Sequence, residues 1–347
     1  MKLSPTVLAV VLNWNETDLT MRCLKSIRNQ SIGDIDIFLV DNNSAKDPKK
    51  TFLDEFPELK FRRTISNIGV AGGRNIGIRY ALKKGYEWVL LLDNDATIEP
   101  DMLSHIIDAA RHDPHVGIFG PKILLNESPN IVWRAGCTSW KWTYLHAFFA
   151  ILKRLYAKRG KPIPILFDTL RGENHIDDGR FDTEQDVDFQ IGCAQVIRAK
   201  VFSDIGLLDE EYSPYGSEDI DFCARASSFG WRIRYVPKAR CWHRATGSLQ
   251  DEYLRNYYNT RNIVLLARKN LTPLYFYFLY LPDFLFFQLP LIMTESILQR
   301  KHKRFQAIVN AIFWNMADMK KRGIMIEAMQ AGLKSPPPHK TNDSSAA

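Results

Sequence analysis

The feature that most limits the possible folds is a short apolar run that ends in two acids, within residues 87–95. Residues 89–92 are all apolar, too few for a helix and typical of a strand buried on both faces. The run ends at Asp93-Asn94-Asp95. Because open α/β sheets bind ligands beyond the carboxyl ends of their strands, we expect Asp93 and Asp95 to face a cleft. Two carboxylates on a tight turn suit Mg²⁺ or Mn²⁺, although Asp and Asn also favour turns for their own backbone hydrogen bonds.

Strand and helix patterns alternate on both sides of this run. In the first half, the pattern predicts strands over residues 6–12, 35–40, 60–65 and 116–119. It predicts four helices: one over residues 17–29, a short one that begins at 48, one that follows the Gly-rich stretch and ends at about 84, and one that begins after 100. The second half predicts strands over 187–193 and 233–236, and helices over 199–205 and 217–230. This alternation predicts an α/β fold with a parallel, right-handed βαβ sheet.

Composition narrows the class of protein. The 347 residues carry a formal net charge of +7, and 46% are hydrophobic, enough for a real core. Basic residues interleave with acids through most of the chain and no nucleic-acid motif is present, so we expect phosphates or anionic lipid, and no nucleic acid, as partners. The five scattered cysteines form no C-x-x-C pair, which favours a reducing, cytoplasmic location and gives no zinc signature. Residues 7–12 are interpreted as a first strand rather than a signal peptide.

Several residues in the first half suit a nucleotide. Trp14 offers a flat face for stacking on a base, and Asp41, after the second strand, offers a carboxylate to an imide N–H of uracil or thymine. The Gly-rich stretch 67–75 is predicted to open a helix whose first N–H groups meet a diphosphate, with Arg74 adding a charged contact. The alternatives are a core tryptophan and a tight connection before a helix.

The second half contains a further pair of acids and a histidine. Glu218 and Asp219 follow Ser217, a predicted N-cap, where negative charge suits the helix dipole whether or not the acids have another role. His243 follows the last predicted strand.

The order of these features resembles glycosyltransferase family 2, and within it the rhamnosyltransferase-like branch. The matching segments are 13–16 (NWNE), 40–44 (VDNNS), 67–77 with its glycines, 93–95 (DND), 192–194 (GCA), 206–210 (GLLDE), 218–225 (EDIDFCAR), His243 and 257–262 (YYNTRN). The resemblance covers roughly residues 5–270 and implies the GT-A fold, a mixed, mostly parallel sheet flanked by helices. It implies a catalytic domain over residues 1–270.

The resemblance also implies site roles. The nucleotide-sugar site would comprise Asn13, Trp14, Glu16, Asp41, Asn67, Gly69, Gly73, Arg74 and Asp93, with the base on Asp41. Asp93, Asp95 and His243 would hold Mg²⁺ or Mn²⁺, and Asp219 would be the catalytic base. Glu218 and Tyr215 are expected on the acceptor side, where the sequence departs from the more aromatic family pattern.

These roles predict an inverting, metal-dependent transfer of a sugar such as rhamnose. The donor would be a UDP- or dTDP-linked sugar, and the acceptor a glycan or lipid-linked glycan of a surface polysaccharide. One base and no evident second nucleophile favour a single displacement. Two alternatives stay open at this point: a sugar-phosphate nucleotidyltransferase, and a non-catalytic nucleotide- or glycan-binding module.

Two segments fit the pattern less well. Residues 126–186, with Trp133, Trp140, Trp142 and a basic run over 153–159, are interpreted as a variable insertion that either shapes the acceptor site or forms a small core of its own.

The C-terminal segment, residues 271–334, is predicted to be a helical extension. Its apolar stretch 274–292 and basic cluster 300–304 suit a helix lying on the cytoplasmic face of the membrane, and Pro282, Asp283 and Pro290 argue against one straight helix. The alternative is a pair of helices docked on the catalytic domain with a solvated basic face. Residues 335–347 are predicted to be disordered.

Overall fold

The structure, a computed structural model, describes residues 6–33, 35–138, 171–244 and 251–321. The chain divides into two compact units. The first comprises Met1–Lys141 and Tyr156–Ser248, and the second Trp142–Leu155 and Leu249–Ala347. The domain boundaries predicted above stay a prediction. The predicted tail over 335–347, Trp140, Trp142 and the basic run over 153–159 lie outside the described residues.

The first unit is built on one mixed sheet, which has eleven strands in the described part of the chain. The strands are β1 (Val7–Asn13), β2 (Ile35–Asp41), β3 (Lys60–Arg63), β4 (Trp88–Asp93), β5 (Ala96–Ile98), β6 (Val116–Leu125), β7 (Ile131–Arg134), β8 (His175–Ile176), β9 (Gln185–Val187), β10 (Ala194–Arg198) and β11 (Arg232–His243). The main order is β3-β2-β1-β4-β10-β6-β11-β5. Strands β3, β2, β1 and β4 run parallel, β10 is antiparallel to both β4 and β6, and β6 runs parallel to β11.

The helices of this unit cover both faces of the sheet. Among the described residues they are α1 (Thr17–Arg28), α2 (Lys49–Glu55), α3 (Gly69–Lys84), α4 (Met102–Arg111), α5 (Ala199–Ile205) and α6 (Glu218–Phe229), with a 3₁₀ turn at Glu210–Tyr212. Strand β4 confirms the expectation for the central apolar run. Leu90 and Leu92 pack into the core on one face of the sheet, and Val89 and Leu91 into the core on the other. Alternation along a strand therefore buries both faces, as the pattern predicted.

The Gly-rich stretch lies inside α3 rather than in a turn before it. A Cβ at Gly73 would stand 2.3 Å from a methyl carbon of Leu12, and one at Gly77 would stand 2.5 Å from Val10. These two glycines therefore let α3 lie directly against β1. The prediction that the glycines form a connecting loop is wrong over most of its length, because helix–strand packing requires them.

The strand predicted over residues 187–193 is also misplaced. The ladder begins only at Ala194, because the backbone before it bonds to side chains and to the end of β4 instead. Gly192 N–H donates to Asp219, its carbonyl accepts from Arg74, and the carbonyl of Cys193 accepts from Asp93 N–H. The strand expected over 233–236 extends to His243, so the histidine ends a strand rather than following one.

The two described ends of the predicted insertion are attached to the sheet. β7 pairs with β6 and with the short β8. The buried amine of Lys122 on β6 forms ion pairs with Asp177, at 2.7 Å, and with Asp182. These contacts fix residues 175–182 against β6.

The second unit is helical in its described part. It contains α7 (Glu252–Asn270), α8 (Pro273–Leu298) and α9 (His302–Lys321). Val264, Ala267, Phe276, Tyr280, Phe284 and Met319 form its core. α8 continues through Pro282 and Pro290, with π-helical turns at Phe276–Tyr280 and Phe284–Gln288 preceding them, and the expectation against one straight helix stays a prediction. Such turns shift the hydrogen-bond register where proline lacks an N–H.

One face of α8 is apolar and exposed. Phe278 and Phe286 are 71% and 72% exposed, and Leu274, Leu279, Leu285 and Phe287 are exposed to between 37% and 66%. By length and composition α8 is also able to cross a membrane.

Candidate active site

The site begins where β1 and β2 end side by side. Asn13 and Asp41 are neighbours in the sheet, and Asn13 Nδ2 donates to Asp41 Oδ1 over 2.7 Å. The carboxylate of Asp41 is fully buried and also accepts from the amide and hydroxyl of Ser44, and Arg63 Nη1 lies 3.1 Å from it. Both oxygens of Asp41 thus have protein partners.

A polar chain joins this corner to the acidic turn after β4. Thr20 Oγ1 lies 2.7 Å from Asn13 Oδ1, and the side-chain amide of Asn94 donates to the same hydroxyl over 3.0 Å. The ends of β1, β2 and β4 are therefore held together by hydrogen bonds. Asn94, which the sequence treated as a spacer between two acids, links them.

The other nucleotide candidates lie around this corner. Trp14, 37% exposed, directly follows β1, and Glu16 contributes its carbonyl to Thr20 at the start of α1. At the start of α3, the Gly69 amide is bonded to Asn67 Oδ1 and the Val70 amide to the carbonyl of Pro214. These amides, which were predicted to meet a diphosphate, are thus bonded within the protein.

Asp93, Asp95 and His243 come together at the ends of β4 and β11. Each offers one donor atom, and these atoms lie within 4.8 Å of one another. His243 Nε2 is 3.2 Å from Asp95 Oδ1 and 3.7 Å from Asp93 Oδ2. They meet because β5, which begins three residues after Asp93, pairs antiparallel with the end of β11, and this sets His243 opposite Ala96.

The electrostatics of this cluster favour a cation. Burial alone would lower the pKa of His243, but the surrounding acidic groups, the two carboxylates among them, raise it to about 11. Burial would raise the pKa of Asp93, and Arg74 and His243 outweigh it and hold that pKa below its usual value. Two carboxylates and one imidazole form a donor set that suits Mn²⁺, or Mg²⁺ with water completing its shell, so the residues present fit a divalent ion.

Trp133, on β7, is a neighbour of the site that the sequence named only as part of the insertion over residues 126–186. Its ring stacks on the imidazole of His243, with centroids 4.6 Å apart and planes 21° apart. The guanidinium of Arg134 lies 4.7 Å over the same indole. The position of β7 beside β6 creates this contact, and only its aromatic identity marked Trp133 in the sequence.

Arg74, on α3, lies at the centre of the charged groups. Its side chain is almost fully buried, and Nη2 donates to Asp93 Oδ1 over 2.5 Å and to the carbonyl of Gly192 over 2.8 Å. Nη1 lies 3.9 Å from Glu218 Oε1. The sequence predicted a charged Arg74 in the site, but not that it would face three protein groups.

Glu218 and Asp219 open α6 on the other side of Arg74. Burial raises the pKa of Asp219, although the amides of Gly192 and Ile220 donate to it over 2.6 Å and 2.8 Å. Burial and the nearby Asp219 charge raise the pKa of Glu218 to about 7. Ser217 is the N-cap residue of α6, as predicted, and its carbonyl accepts from the Asp221 amide. It adopts φ +73° and its side chain makes no capping bond.

The structure therefore brings most of the predicted residues into one connected set. Asp93, Asp95, His243, Arg74, Glu218 and Asp219 form its charged part, and Asn13 and Asp41 join it through Thr20 and Asn94. Gly73 packs on Leu12, and its predicted place in the nucleotide-sugar site stays a prediction. Tyr215 is partly buried in the turn before α6.

Similarity to known proteins agrees with the family resemblance of the sequence motifs. The family model for glycosyl transferase family 2 matches residues 9–206. A dTDP-rhamnosyl transferase, RfbF, from Shigella flexneri is 25% identical over 219 residues, 60% of this chain and 62% of that protein. An N-acetylglucosaminyl-diphospho-decaprenol L-rhamnosyltransferase from Mycobacterium tuberculosis is 23% identical over 267 residues, 71% of this chain and 80% of that protein. The match thus spans less than two thirds of the Shigella protein.

Solved structures share the fold. GalNAc-T7 with UDP, GalNAc and Mn²⁺ aligns with a TM-score of 0.56 at 18% identity, over 79% of this chain and 50% of that one. A mannosyltransferase from Pyrobaculum calidifontis, in complex with GDP-Man and Mn²⁺, aligns with a TM-score of 0.51 at 15% identity, over 96% and 82%. The predicted GT-A fold is confirmed. With more than half of its length matched by the family model, the chain belongs to glycosyl transferase family 2, a family of glycosyltransferases, as its motifs predicted.

Proposed function

We propose that this protein is an inverting, divalent-metal-dependent glycosyltransferase that moves a sugar from a nucleoside-diphosphate donor to a hydroxyl of a surface glycan. The observation that carries this is one connected set of charged groups. Asp93, Asp95 and His243 suit a cation, Glu218 and Asp219 at the start of α6 suit a proton, and Arg74 lies between the two groups. Neither group alone argues for sugar transfer. Together they match the two charges that the reaction develops.

The base side follows from the chemistry of single displacement. As the acceptor oxygen bonds to the anomeric carbon, its proton passes to Asp219, and the sugar–oxygen bond to the diphosphate breaks on the opposite face. A raised pKa suits a carboxylate that must take up a proton near neutral pH. Glu218 and Tyr215 are proposed to contact the acceptor.

Asp93, Asp95 and His243 are proposed to hold Mn²⁺ or Mg²⁺. When bound, a divalent ion stabilises negative charge on the leaving diphosphate. The carboxylates lie at the end of β4 and the imidazole at the end of β11, so the sheet itself supplies the spacing.

For the nucleotide we propose the corner formed by β1 and β2. Trp14, exposed at the end of β1, would stack on the base. Asp41 would accept the imide N–H of uracil or thymine by exchanging one of its present partners. Asn13, Glu16, Asn67 and Gly69 are proposed to shape the surrounding surface.

Rhamnose is the proposed sugar, and a lipid-linked glycan the proposed acceptor. Both come from the names of the Shigella and Mycobacterium relatives, one a dTDP-rhamnosyl transferase and the other a rhamnosyltransferase named for a diphospho-decaprenol substrate. Residues 126–186 are proposed to shape the acceptor site.

We further propose that the second unit binds the cytoplasmic face of the membrane. The exposed face of α8 is apolar, and the exposed Arg300, Lys301 and Lys303 follow it directly. Apolar side chains in the headgroup region and basic residues on anionic lipid stabilise such association, by about 1 kcal/mol for each basic residue.

A donor panel tests the activity. Thermal shifts would be measured with dTDP-rhamnose, UDP-GlcNAc and GDP-mannose, with Mn²⁺ or EDTA, and turnover then followed with the best donor. We expect a Mn²⁺-dependent shift for one donor and a product with inverted anomeric configuration by NMR. Retained configuration contradicts the single displacement, and pyrophosphate release from a nucleoside triphosphate favours a nucleotidyltransferase.

Flotation with vesicles tests the membrane proposal. Wild-type protein is expected to float with vesicles containing phosphatidylglycerol, and Phe278→Glu/Phe286→Glu to remain in the soluble fraction. Ile176→Glu, an equally exposed position in the first unit, serves as the control. Full solubility of the wild type at low salt, with such vesicles present, contradicts the proposal.

A further inference from the structure

Gly192 uses both of its backbone groups to connect two parts of the site. Its N–H donates to Asp219 Oδ2 over 2.6 Å, and its carbonyl accepts from Arg74 Nη2 over 2.8 Å. The same Nη2 donates to Asp93 Oδ1 over 2.5 Å. A continuous path of three hydrogen bonds therefore joins the proposed base to a proposed cation ligand.

Only glycine fits at this position without displacing its neighbours. A Cβ at residue 192 would stand 3.0 Å from Arg74 Nη1 and 3.1 Å from Asp219 Oδ2. Both contacts are tighter than ordinary van der Waals separation, and the two neighbours are the groups that the path connects. The segment 192–194 carried part of the family resemblance, yet no role followed for its glycine.

The charge on Arg74 is suited to bridging groups of the protein rather than to binding a ligand from solvent. The residue is 2% exposed, and its guanidinium faces Asp93 on β4, Glu218 on α6 and the Gly192 carbonyl. A planar fork reaches several acceptors at fixed angles, whereas a lysine ammonium is a single point charge on a flexible stem. A buried charge of this kind persists only where it is fully paired.

We propose that Arg74 and Gly192 form a positioning unit that fixes the Asp219 carboxylate relative to Asp93. The spacing between proton acceptor and cation site is then set by one side chain and one glycine. This proposal rests on the proposed function, because Asp219 acts there as the base. Arg74 and Gly192 are positioning residues in this scheme, since each acts through Asp219 or Asp93.

Arg74→Lys tests the unit, with Arg79→Lys, an exposed arginine on the same helix, as the matched control. Lysine keeps the charge but cannot serve both Asp93 and Gly192. We expect turnover to fall by up to about 10²-fold, because small misplacements of a reacting group have effects of that size. The donor KM is expected to change less than about threefold, the Mn²⁺ affinity measured by calorimetry to fall by less than the turnover, and the control to match the wild type.

The pH profile gives a readout that a purely structural role would not move. The groups around Asp219 are Arg74 and the amides of Gly192 and Ile220, which favour its ionised form, and Glu218 and Asp93, which oppose it. In Arg74→Lys the Gly192 carbonyl loses its partner, so the Gly192 amide is held less firmly on Asp219. The pKa of Asp219 then rises, and the acidic limb of the turnover profile is expected to move to higher pH. Arg79→Lys is expected to leave it in place.

Gly192→Ala separates the same groups without removing any charge or hydrogen-bonding atom. We expect the same loss of turnover and the same displaced acidic limb, and the double variant to be little worse than either single one, because the two act as one unit. Independent, additive losses contradict the proposal.

A titration of the carboxyl carbon of Asp219 by NMR, in [¹³Cγ]Asp-labelled protein and assigned with Asp219→Asn, needs no donor. A raised Asp219 pKa in Arg74→Lys supports the unit even if no sugar donor is ever turned over, in which case only the proposed function fails. An unchanged Asp219 pKa, or a loss of Mn²⁺ affinity equal to the loss of turnover, overturns it. A fall in melting temperature with normal specific activity of the folded fraction overturns it equally.

Discussion

The acids at the end of β4 and the acids at the start of α6 look alike in the sequence but differ in their surroundings. Asp93 is paired with Arg74 and lies near His243, and its pKa is held below the usual value. Glu218 is nearly fully buried with only a distant contact to Arg74, and its pKa rises to about 7. In the sequence alone, each segment is a pair of acids at a turn or at the start of a helix, so this difference in pKa is not visible there.

The difference teaches which acids suit which chemistry. A carboxylate that stays ionised suits a cation, and one whose pKa is raised suits proton transfer, so carboxylates in one site take separate roles through their environment. Arg74 creates the asymmetry: its short contact goes to Asp93, and its 3.9 Å contact goes to Glu218. The predictions below test this division.

The largest effect is expected from Asp219→Asn. The amide keeps the shape of the side chain but cannot accept a proton from the acceptor hydroxyl, so turnover should fall by about 10³-fold. Donor binding, measured by calorimetry, should be unchanged. Asp108→Asn, an exposed acid on α4, is the control. Near-normal turnover of Asp219→Asn would falsify the division of roles.

Asp95→Ala should act on the other group of acids. Removing one of three donor atoms is expected to weaken Mn²⁺ binding by about 10²-fold and to abolish the Mn²⁺-dependent thermal shift by the donor. Asp101→Ala, an exposed acid at the start of α4 whose side chain makes no capping bond, should bind Mn²⁺ normally. If Asp95→Ala kept full Mn²⁺ affinity, the cation would have to lie elsewhere.

Trp133→Leu sharpens the picture of the cation side. The indole stacks on His243, so its loss frees the imidazole to rotate and is expected to weaken Mn²⁺ binding by about threefold to tenfold. Calorimetry at a fixed pH measures this directly. Trp231→Leu controls for the loss of one tryptophan. An unchanged affinity shows that the sheet alone holds His243 in place.

Much of this arrangement was predictable from local pattern. The central strand, the strand–helix alternation and the meeting of strand ends follow from apolar periodicity and from the geometry of open sheets. The coming together of Asp95 and His243 was implied by the family motifs, and not by the residues between them. It depends on the pairing of β5 with β11, a contact across more than 140 positions of the chain.

The errors have physical causes in tertiary contacts. Gly73 was interpreted as a glycine of the turn before the helix, but the side chain of Leu12 requires it inside α3. The strand before Ala194 was placed too early, because Arg74 and Asp219 take the hydrogen bonds that a ladder would use. Trp133 was named only as part of the insertion over residues 126–186, because its contact with His243 depends on which strand lies beside β6.

Glu218→Gln tests the helix-start side through stability, with the smallest expected effect on turnover. Because the pKa of Glu218 is about 7 in the folded protein and about 4.5 for an ordinary glutamate, the folded state holds a proton that the unfolded chain has released between those values. The folded state therefore loses stability as pH rises through this window, by an amount on the order of 3 kcal/mol for one group with these two pKa values. A glutamine side chain does not titrate in this range, so the Glu218→Gln protein lacks this pH dependence.

We therefore expect the free energy of unfolding of Glu218→Gln to increase relative to that of the wild type as pH is raised from 5 to 8. Urea unfolding in EDTA at several pH values measures this, and Glu58→Gln, at an exposed position, should follow the wild type throughout. If Glu218→Gln instead runs parallel to the wild type, Glu218 ionises like an ordinary glutamate. The contrast between the two groups of acids would then rest on Asp219 alone, and Arg74 would have to serve both groups equally.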